Sequence, residues 1–533
     1  MTQSADRQIA KNASVVAAAT LLSRILGFIR DAVVAATLGA GLGADAFFVA
    51  FRVPNVLRRL FAEGSMTMSF IPVFQRRKAE LGQETAFVMA RSTLLWLVAV
   101  VGAVVVLGEV FAGPLTRIIA PGFGNNPGQL EMATSLLRIC FPYILLISGV
   151  GLCMGVLNSL GHFTAPALSP VVLNIALIAA ALLGWRLGLD VAHCLAWGVL
   201  AGGALQWLSQ LPALRARGFT WRGERSWRDP GVKRMGRLML PTVVGAAVYQ
   251  LNILLGTLLA SFLPVGSISY LYYADRLVEF PLGVFGLAVS TAALPSLSAL
   301  AATGKDREFG SVLSSTMRLT LFISLPAMAG LIALAEPIVG LLFGRGRFDP
   351  QDVAATSMAL RAFALGLPFA ALARPLASAF YARENTRTPV LVAAVCMVVN
   401  VGLGALLMRF LAHVGLALAV SASSAVNFAA LAWIMRGHVG KLLPWPTLAR
   451  MLGLSALGLA RGHPVLDRAL RARRAAAGHG RGPAVHRNAP LPAPAPRGRG
   501  VMIVRRIRPE NRVHSGDAKR KINDHAMLGH RHG

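Results

Sequence analysis

The sequence predicts an all-α polytopic membrane protein with two six-helix lobes, related by pseudo-two-fold symmetry, around a central cationic cavity. Of its 533 residues, 55% are hydrophobic and 14% are charged, whereas about 25% of the residues of soluble proteins are charged. Apolar segments recur through residues 1–440, each close to the roughly 20 residues that span a bilayer. Arginines nevertheless interrupt the first two segments, so these helices cannot face lipid along their whole surface.

Twelve apolar segments are candidates for membrane-spanning helices. The loops that follow the even-numbered segments carry most of the Lys and Arg, which marks them as cytoplasmic and places the N-terminus in the cytoplasm. Several segments contain Pro or Gly, as the helices of transporters often do. In chain order they lie near residues 14–36, 44–62, 88–113, 133–158, 164–186, 190–212, 238–262, 267–300, 314–344, 354–382, 388–410 and 413–436.

A weak internal repeat relates the two halves of the chain. The spacing from Pro142 to Asn174 equals the spacing from Pro368 to Asn400, within similar apolar surroundings. Two halves that both begin in the cytoplasm would be related by an axis along the membrane normal, an architecture of alternating-access transporters. Chance similarity between Ala- and Leu-rich helices is the alternative, and the matched Pro and Asn positions favour a true repeat.

Composition divides the chain into five parts. They are an N-terminal six-helix lobe (1–215), a basic cytoplasmic loop (216–237), a C-terminal six-helix lobe (238–440), the start of an incomplete thirteenth helix (441–460) and a basic tail (461–533). The tail holds 17 Lys and Arg against 4 Asp and Glu, and we expect it to be disordered. Its abrupt start inside a half-finished helix favours a shifted reading frame over a genuine tail that binds anionic lipid headgroups.

Charged residues in the first, second and eighth segments are the candidate ligand-binding residues. An Arg or Asp at the bilayer centre costs about 2.5–3.5 kcal/mol, so these side chains should face water or an anion. On a helix, Arg24 and Asp31 share one face. Guanidinium groups bind phosphate oxygens through two hydrogen bonds and stay charged when desolvated. Arginine clusters that converge from both lobes would therefore suit a pyrophosphate headgroup.

The balance of charge separates the expected roles of these residues. Cations outnumber nearby carboxylates, so we expect ligand contact from four arginines: Arg24, Arg30, Arg58 and Arg276. For the carboxylates Asp45, Glu63 and Glu279, ligand-related and purely structural roles are equally supported. Arg52 and Arg59 either line the cavity or mark the cytoplasmic end of their helix.

Four motifs in these segments resemble the MurJ/MviN lipid II flippase family, over about residues 11–455. They are SRILGFIRD, DAFFVAFRVPNVLRRLFAEG, FPYILLISGVGLCMGVLN and YYADRLVEFPLGVFGLA. The resemblance implies fourteen transmembrane helices and alternating access in the bacterial inner membrane. The implied cargo is lipid II, the undecaprenyl-pyrophosphate-linked peptidoglycan precursor, moved from the cytoplasmic to the periplasmic leaflet. We expect the last two helices of the family to be missing here.

The resemblance also implies the residues of the cavity. They are Ser23, Arg24, Arg30, Asp31, Asp45, Asn55, Arg58, Glu63 and Arg276. Some members of the family resemble sodium-coupled transporters with carboxylate ligands, whereas residues 385–440 here contain no Asp or Glu. The nearest substitutes are Asn252, Asn400 and Asn427, so we expect no metal site and coupling to the membrane potential alone.

Other classes of function find less support. Residues 1–460 show no Walker loop, His-based metal motif or Ser-His-Asp arrangement, so we expect a transporter without a cofactor rather than an enzyme. The alternatives are an exporter of another lipid-linked polysaccharide or of drugs, and an integral-membrane polyprenyl-phosphate transferase. The arginines argue against cationic drugs, and the short loops argue against a transferase. We expect a monomer that binds lipid II and membrane lipids and no nucleic acid.

Overall fold

The structure, a computed structural model, describes residues 2–59, 65–439 and 453. In this part of the chain every regular element is a helix. The sixteen α-helices are α1 Thr2–Leu38, α2 Leu42–Leu57, α3 Ser65–Leu81, α4 Gln83–Val110, α5 Ala112–Ile119, α6 Gln129–Cys140, α7 Tyr143–Ser159, α8 Thr164–Arg186, α9 Val191–Ala216, α10 Pro230–Ser261, α11 Ser267–Pro281, α12 Leu287–Ala302, α13 Asp306–Ala333, α14 Ala335–Leu342, α15 Pro350–Ala382 and α16 Arg387–Val439. A π-helical segment, Leu282–Gly286, joins α11 to α12. The predicted cavity residue Glu63, almost all of the incomplete thirteenth helix and the tail at 461–533 lie outside the described residues.

Eight helical segments of the described residues are long and apolar enough to cross a membrane. They are Ala13–Leu38, Gln129–Ser159 and the helices α4, α8, α9, α13, α15 and α16. The longest, α16, holds the last two predicted segments, which meet at Ala412 with a non-helical φ of 47°. The segments that miss this criterion include the arginine-bearing helices α2 and α11, of 16 and 15 residues. The multi-pass architecture predicted from the sequence is confirmed.

The start of α10 lies outside its predicted apolar segment. Helix α10 begins at Pro230, eight residues before the predicted start of its apolar segment. The Asp229 carboxylate accepts hydrogen bonds from the amides of Gly231 at 2.8 Å and Val232 at 3.3 Å. An Asp N-cap followed by Pro at the first position stabilises a helix start, and it does so here despite the polar residues of the first two turns.

The apolar cores distinguish two ends of the molecule. At one, which we call the joined end, both halves of the chain share a core; at the other, the divided end, each half has its own core. The largest core, around Phe48, Tyr143 and Tyr273, contains residues from both halves of the chain. The other two cores are separate: one around Phe70 draws on residues 66–235, and one around Phe309 draws on residues 297–435. The two halves thus share one core at the first end and are packed independently at the other.

Asp45 holds the two halves together at the joined end. Its buried carboxylate accepts hydrogen bonds from the amides of Gly266 at 2.7 Å and Ser269 at 2.8 Å, and from the Ser269 hydroxyl at 2.6 Å. These donors form the N-terminus of α11, where a carboxylate is favoured by the free amides and the helix dipole. A further bond joins the Arg347 amide to the Ala36 carbonyl at 2.9 Å. We call this set of contacts the interlobe seal.

At the divided end, the loop between α9 and α10 is fixed to the first half of the chain. Arg91 on α4 donates to the Thr220 carbonyl at 3.0 Å, and the Trp96 indole donates to the Trp227 carbonyl at 2.9 Å. Arg77 on α3 forms an ion pair with Asp229, the N-cap of α10. The start of α10 therefore belongs structurally to the first half, although its later turns contact α16.

The break in α16 predicts an effect of one glycine on stability. A Cβ at Gly415 would lie 2.4 Å from the Leu407 carbonyl oxygen, whereas a Cβ at Gly402 in the same helix meets nothing within 4 Å. Because the close atom is backbone, Gly415→Ala should destabilise the protein by about 1–3 kcal/mol, the usual range for overpacking. We expect a melting temperature several degrees lower in detergent, with Gly402→Ala unchanged or slightly more stable. Equal melting temperatures for the two variants would contradict this account of the break.

Candidate anion-binding site

An arginine on α1 lies at the centre of a polar network between the two halves of the chain. Arg30 contacts one oxygen of the neighbouring Asp31 carboxylate through Nε at 2.9 Å and Nη2 at 2.7 Å. Its Nη1 donates to the Asn174 side chain on α8 at 3.0 Å, and Nη2 reaches the Tyr272 hydroxyl on α11 at 3.4 Å. Three helices thus meet at one guanidinium group.

Asn174 fixes the position of α1 relative to α8. Its Nδ2 donates to the carbonyl of Ser23 at 3.1 Å, while its Oδ1 accepts from Arg30. Ser23 takes part in this network through its backbone carbonyl rather than its hydroxyl. Sequence reasoning identified Asn174 only as a marker of the repeat and missed its contact with the arginine. A neutral amide in an apolar helix does not stand out as a charged residue does. The position of Asn174 in the internal repeat was the sequence feature that pointed to it.

Tyr272 joins the arginine of α1 to the arginine of α11. Its hydroxyl donates to Asp31 at 3.1 Å and accepts a hydrogen bond of 3.4 Å from Arg276. The tyrosine ring stacks on Phe48, with ring centroids 4.0 Å apart. The Arg276 guanidinium lies 5.2 Å from the ring centroid on the same side chain, a cation–π distance. Tyr272 therefore bridges the predicted Arg30 and Arg276 clusters.

The α11 side of the network is accessible to water. Arg276 pairs with Glu279 at 2.9 Å, and their side chains are 32% and 43% exposed. Asp275, directly before Arg276 in α11, is exposed as well. Exposed and half-exposed charged side chains thus lie beside the Arg30 network on this part of α11. Asp275 was not predicted from the sequence as a site residue.

Other predicted residues of α2 lie in separate local contacts. Arg52 donates to the Thr257 hydroxyl of α10 at 2.8 Å, which favours a position between the halves over a simple helix-end marker. Arg58 contacts the Asn55 side-chain oxygen through Nε at 3.0 Å and Nη2 at 2.7 Å. Asp45 lies in the interlobe seal, away from the Arg30 network. Two roles were expected for Asp45, one related to the ligand and one structural. The geometry supports the structural role, at the N-terminus of α11.

Arg24 differs from the other arginines in its partners. Its guanidinium group lies against the backbone of Gly283 in the π-helical segment, so close that a Cβ there would be 2.6 Å from Nη1. Among the residues that the structure describes, none forms an ion pair with Arg24, whereas Arg30 and Arg276 each contact carboxylates. The positive charge of Arg24 is therefore uncompensated by a direct carboxylate contact from this part of the chain.

Positive charge exceeds negative charge around this cavity. Among the described residues, which do not include Glu63, three carboxylates remain near the arginines once Asp45 is assigned to the seal: Asp31, Asp275 and Glu279. Six arginines accompany them: Arg24, Arg30, Arg52, Arg58, Arg59 and Arg276. Uncompensated cations within a membrane-spanning region are costly unless water or an anion neutralises them. The arrangement can therefore hold an anion, and guanidinium forks suit phosphate oxygens best.

The structure corrects one expectation about catalysis. Ser135, His193 and Asp190 come together, with Ser135 Oγ 3.2 Å from His193 Nε2 and His193 Nδ1 bonded to Asp190. The sequence showed no such arrangement because the serine lies 58 positions from the histidine. Ser135 lies inside α6, where the neighbouring amides are engaged in helix hydrogen bonds. These hydrogen bonds join Ser135 in α6 to the start of α9.

Two of the three asparagines named in the sequence analysis are brought together. Asn400 Nδ2 donates to Asn252 Oδ1 at 3.0 Å, joining α16 to α10. Asn427 does not share this bond. Within the described residues, no three His, Cys, Asp or Glu side chains are close enough to hold a metal ion.

Comparisons with known proteins agree on one family. The sequence profile of the family described as "Lipid II flippase MurJ" matches residues 34–459. The "Probable lipid II flippase MurJ" of Vibrio cholerae serotype O1 is 41% identical and covers 80% of this chain and 82% of its own length. The corresponding protein of Rhizobium meliloti is 38% identical, with 84% and 85% covered.

Solved structures show the same relationship. The structure titled "Lipid II flippase MurJ, inward closed conformation" has a TM-score of 0.72 at 29% identity, covering 83% of this chain and 91% of that one. An inward-facing multidrug resistance MATE family transporter of the MOP superfamily has a TM-score of 0.67 at 16% identity, covering 80% and 98%. The second likeness concerns the fold alone. With the profile match over most of its length, the chain belongs to the lipid II flippase MurJ family.

Proposed function

We propose that this protein moves lipid II from the cytoplasmic to the periplasmic leaflet of the bacterial inner membrane by alternating access. The observation that carries the proposal is the excess of arginines over carboxylates around a water-accessible space between the two halves. A pyrophosphate carries negative charge on several oxygens, and each guanidinium can bind two of them. Transport of cationic drugs would require the opposite balance of charge.

The carboxylates give the site a way to release its cargo. Asp31 contacts both Arg30 and Arg276, at 2.7 Å and 3.5 Å. A pyrophosphate that enters the site would compete with Asp31 for the same guanidinium groups. Because these groups come from α1 and α11, exchanging Asp31 for a phosphate oxygen changes the contacts between the two halves. Binding of the cargo would in this way favour a different arrangement of the lobes.

The membrane potential supplies a driving force in the required direction. One elementary charge that crosses the membrane gains about 2.3 kcal/mol per 100 mV. With the cytoplasm negative, two negative charges moving outward would gain about 4.6 kcal/mol at 100 mV. No sodium site is needed for this step, which agrees with asparagines at 252 and 400 in place of carboxylates.

Two lobes of six spans, 1–215 and 238–440, would perform the movement within a single chain. Asn174 joins α8 to α1, and Asn400 joins α16 to α10. Each asparagine thus bonds to the first helix of its own half, as expected for pseudo-two-fold repeats. The basic loops lie at the divided end, which supports a cytoplasmic N-terminus and an interlobe seal on the periplasmic side.

Removing single arginines should abolish transport without preventing insertion. We expect Arg24→Ala, Arg30→Ala, Arg58→Ala and Arg276→Ala each to lower the rate of lipid II transport in proteoliposomes at least tenfold. Lysine at the same positions should rescue poorly because a point charge lacks the planar fork. Arg318→Ala is the matched control, since Arg318 is exposed and contacts only Ser315 among described residues. Full activity of all four alanine variants would refute the assignment of the site.

The Tyr272 hydroxyl should contribute less than the arginines but measurably. Tyr272→Phe keeps the ring stacked on Phe48 and removes the bridge between Asp31 and Arg276. A hydrogen bond to a charged group is worth about 1.5–3 kcal/mol, so we expect transport to fall about tenfold. Tyr381→Phe, an exposed tyrosine on α15, should leave the rate unchanged. A Tyr272→Phe protein with the unmodified rate would show that this bridge does not serve transport.

Cysteine labelling tests the proposed orientation. Glu224→Cys lies in the exposed α9–α10 loop, and Gly124→Cys lies at the opposite end with no atom near its side chain. Cys194, the one native cysteine that is not buried, is replaced by Ala in both. In intact spheroplasts an impermeant maleimide should label position 124 and leave position 224 unlabelled. The reverse pattern would overturn the cytoplasmic placement of the N-terminus.

A further inference from the structure

The connection between α11 and α12 has an irregular backbone at the border between the two halves. Pro281 ends α11 and lacks the N–H that would continue the helix ladder. The π-helical segment Leu282–Gly286 follows it. Segments of this kind are rare and shift the register of backbone hydrogen bonds by one residue. The direction of α11, and with it the position of Arg276, depends on how this segment is held.

Arg374 on α15 holds the π-helical segment from the second half of the chain. Its Nη1 donates to the Leu282 carbonyl at 2.9 Å. A guanidinium that bonds a backbone carbonyl in a membrane-spanning region provides a charged donor where the regular ladder is disturbed. Arg374 carries the same sequence signal as the predicted arginines, a charge within an apolar segment, but it was not among the predicted site residues.

Gly283 receives Arg24 from the first half of the chain. A Cβ built on Gly283 would lie 2.6 Å from Arg24 Nη1 and 2.9 Å from Nη2. The backbone of Gly283 is not in the left-handed region, so its conformation does not by itself call for glycine. What glycine provides here is space. The guanidinium of Arg24 occupies the volume that any side chain at 283 would take.

We propose that Gly283 is a positioning residue: it forms a notch that holds the Arg24 guanidinium beside the π-helical segment, ready to bind the phosphate group of the cargo. The inference rests on the proposed transport function and adds a residue to its site. Nearby, the rings of Phe28 and Phe280 meet edge to face at 5.5 Å, which sets the distance between α1 and α11. Arg24, without a carboxylate partner in the described chain, is thus placed by shape rather than by an ion pair.

The notch predicts a specific pattern in a double-mutant experiment. Because the atoms close to Gly283 belong to the flexible end of Arg24, Gly283→Ala should displace the guanidinium and leave the fold intact. We expect Gly283→Ala and Arg24→Ala each to lower the initial rate of lipid II transport in proteoliposomes at least tenfold. The double variant should be no slower than the slower single variant, since both changes remove the same interaction. Gly256→Ala, with no atom within 4 Å of its Cβ, is the control and should keep the unmodified rate.

Stability measurements separate positioning from a structural role. Melting temperatures of the Gly283→Ala and unmodified proteins should agree, and any decrease should disappear in the double variant, where the clashing side chain is gone. Losses of transport that multiply in the double variant, or an unstable double variant, would overturn the proposal. Failure of the proposed function would instead appear as absence of lipid II transport by the unmodified protein, so the two failures are distinguishable.

Discussion

The constraint on which this structure depends is the cost of placing guanidinium groups within the thickness of a bilayer. Each such group must reach water, a carboxylate, a backbone carbonyl or an anion. Among the described residues the arginines contact carboxylates, neutral side chains and a backbone carbonyl, and Arg30 and Arg276 share Asp31. Arg30 takes Asp31 and Asn174, Arg276 takes Glu279 and the Tyr272 ring, and Arg374 takes a carbonyl. These contacts fix the positions of the two halves relative to each other because the partners lie on helices of both halves.

The same constraint explains how far the sequence could predict the site. Arg24, Arg30 and Arg276 were recognisable because charge in an apolar segment is costly and therefore informative. Tyr272 connects Arg30 with Arg276, and Asn174 contacts Arg30, yet neutral polar residues are common in transmembrane helices and carry no comparable signal. Which side chains meet depends on the packing of α1 against α8 and α11, and helical periodicity alone does not contain that information.

For the helices as well, the sequence predicts some features and not others. The positions of the apolar segments followed from length and hydropathy, and even the break at Ala412 lies between two predicted segments. The start of α10 lies outside its predicted apolar segment because its first turns are polar. Those turns are stabilised by the Asp229 cap and by Arg77. Hydropathy identifies the part of a helix that lies in the membrane, whereas the Asp229 cap and the ion pair stabilise helical turns outside that part.

The two ends of the molecule also differ in the kind of interaction that joins them, and this difference suits alternating access. At the interlobe seal, Asp45 accepts directional hydrogen bonds from backbone amides at the start of α11, and such bonds are either made or broken. At the divided end, separate apolar cores let each half keep its own packing while the distance between them changes. Interfaces held by a few directional bonds can open without the loss of a large apolar contact area, whereas packed cores resist deformation. At the divided end each half has its own core, whereas at the joined end one core contains residues of both halves, so the divided end is the one where the distance between the halves can change with little loss of apolar contact.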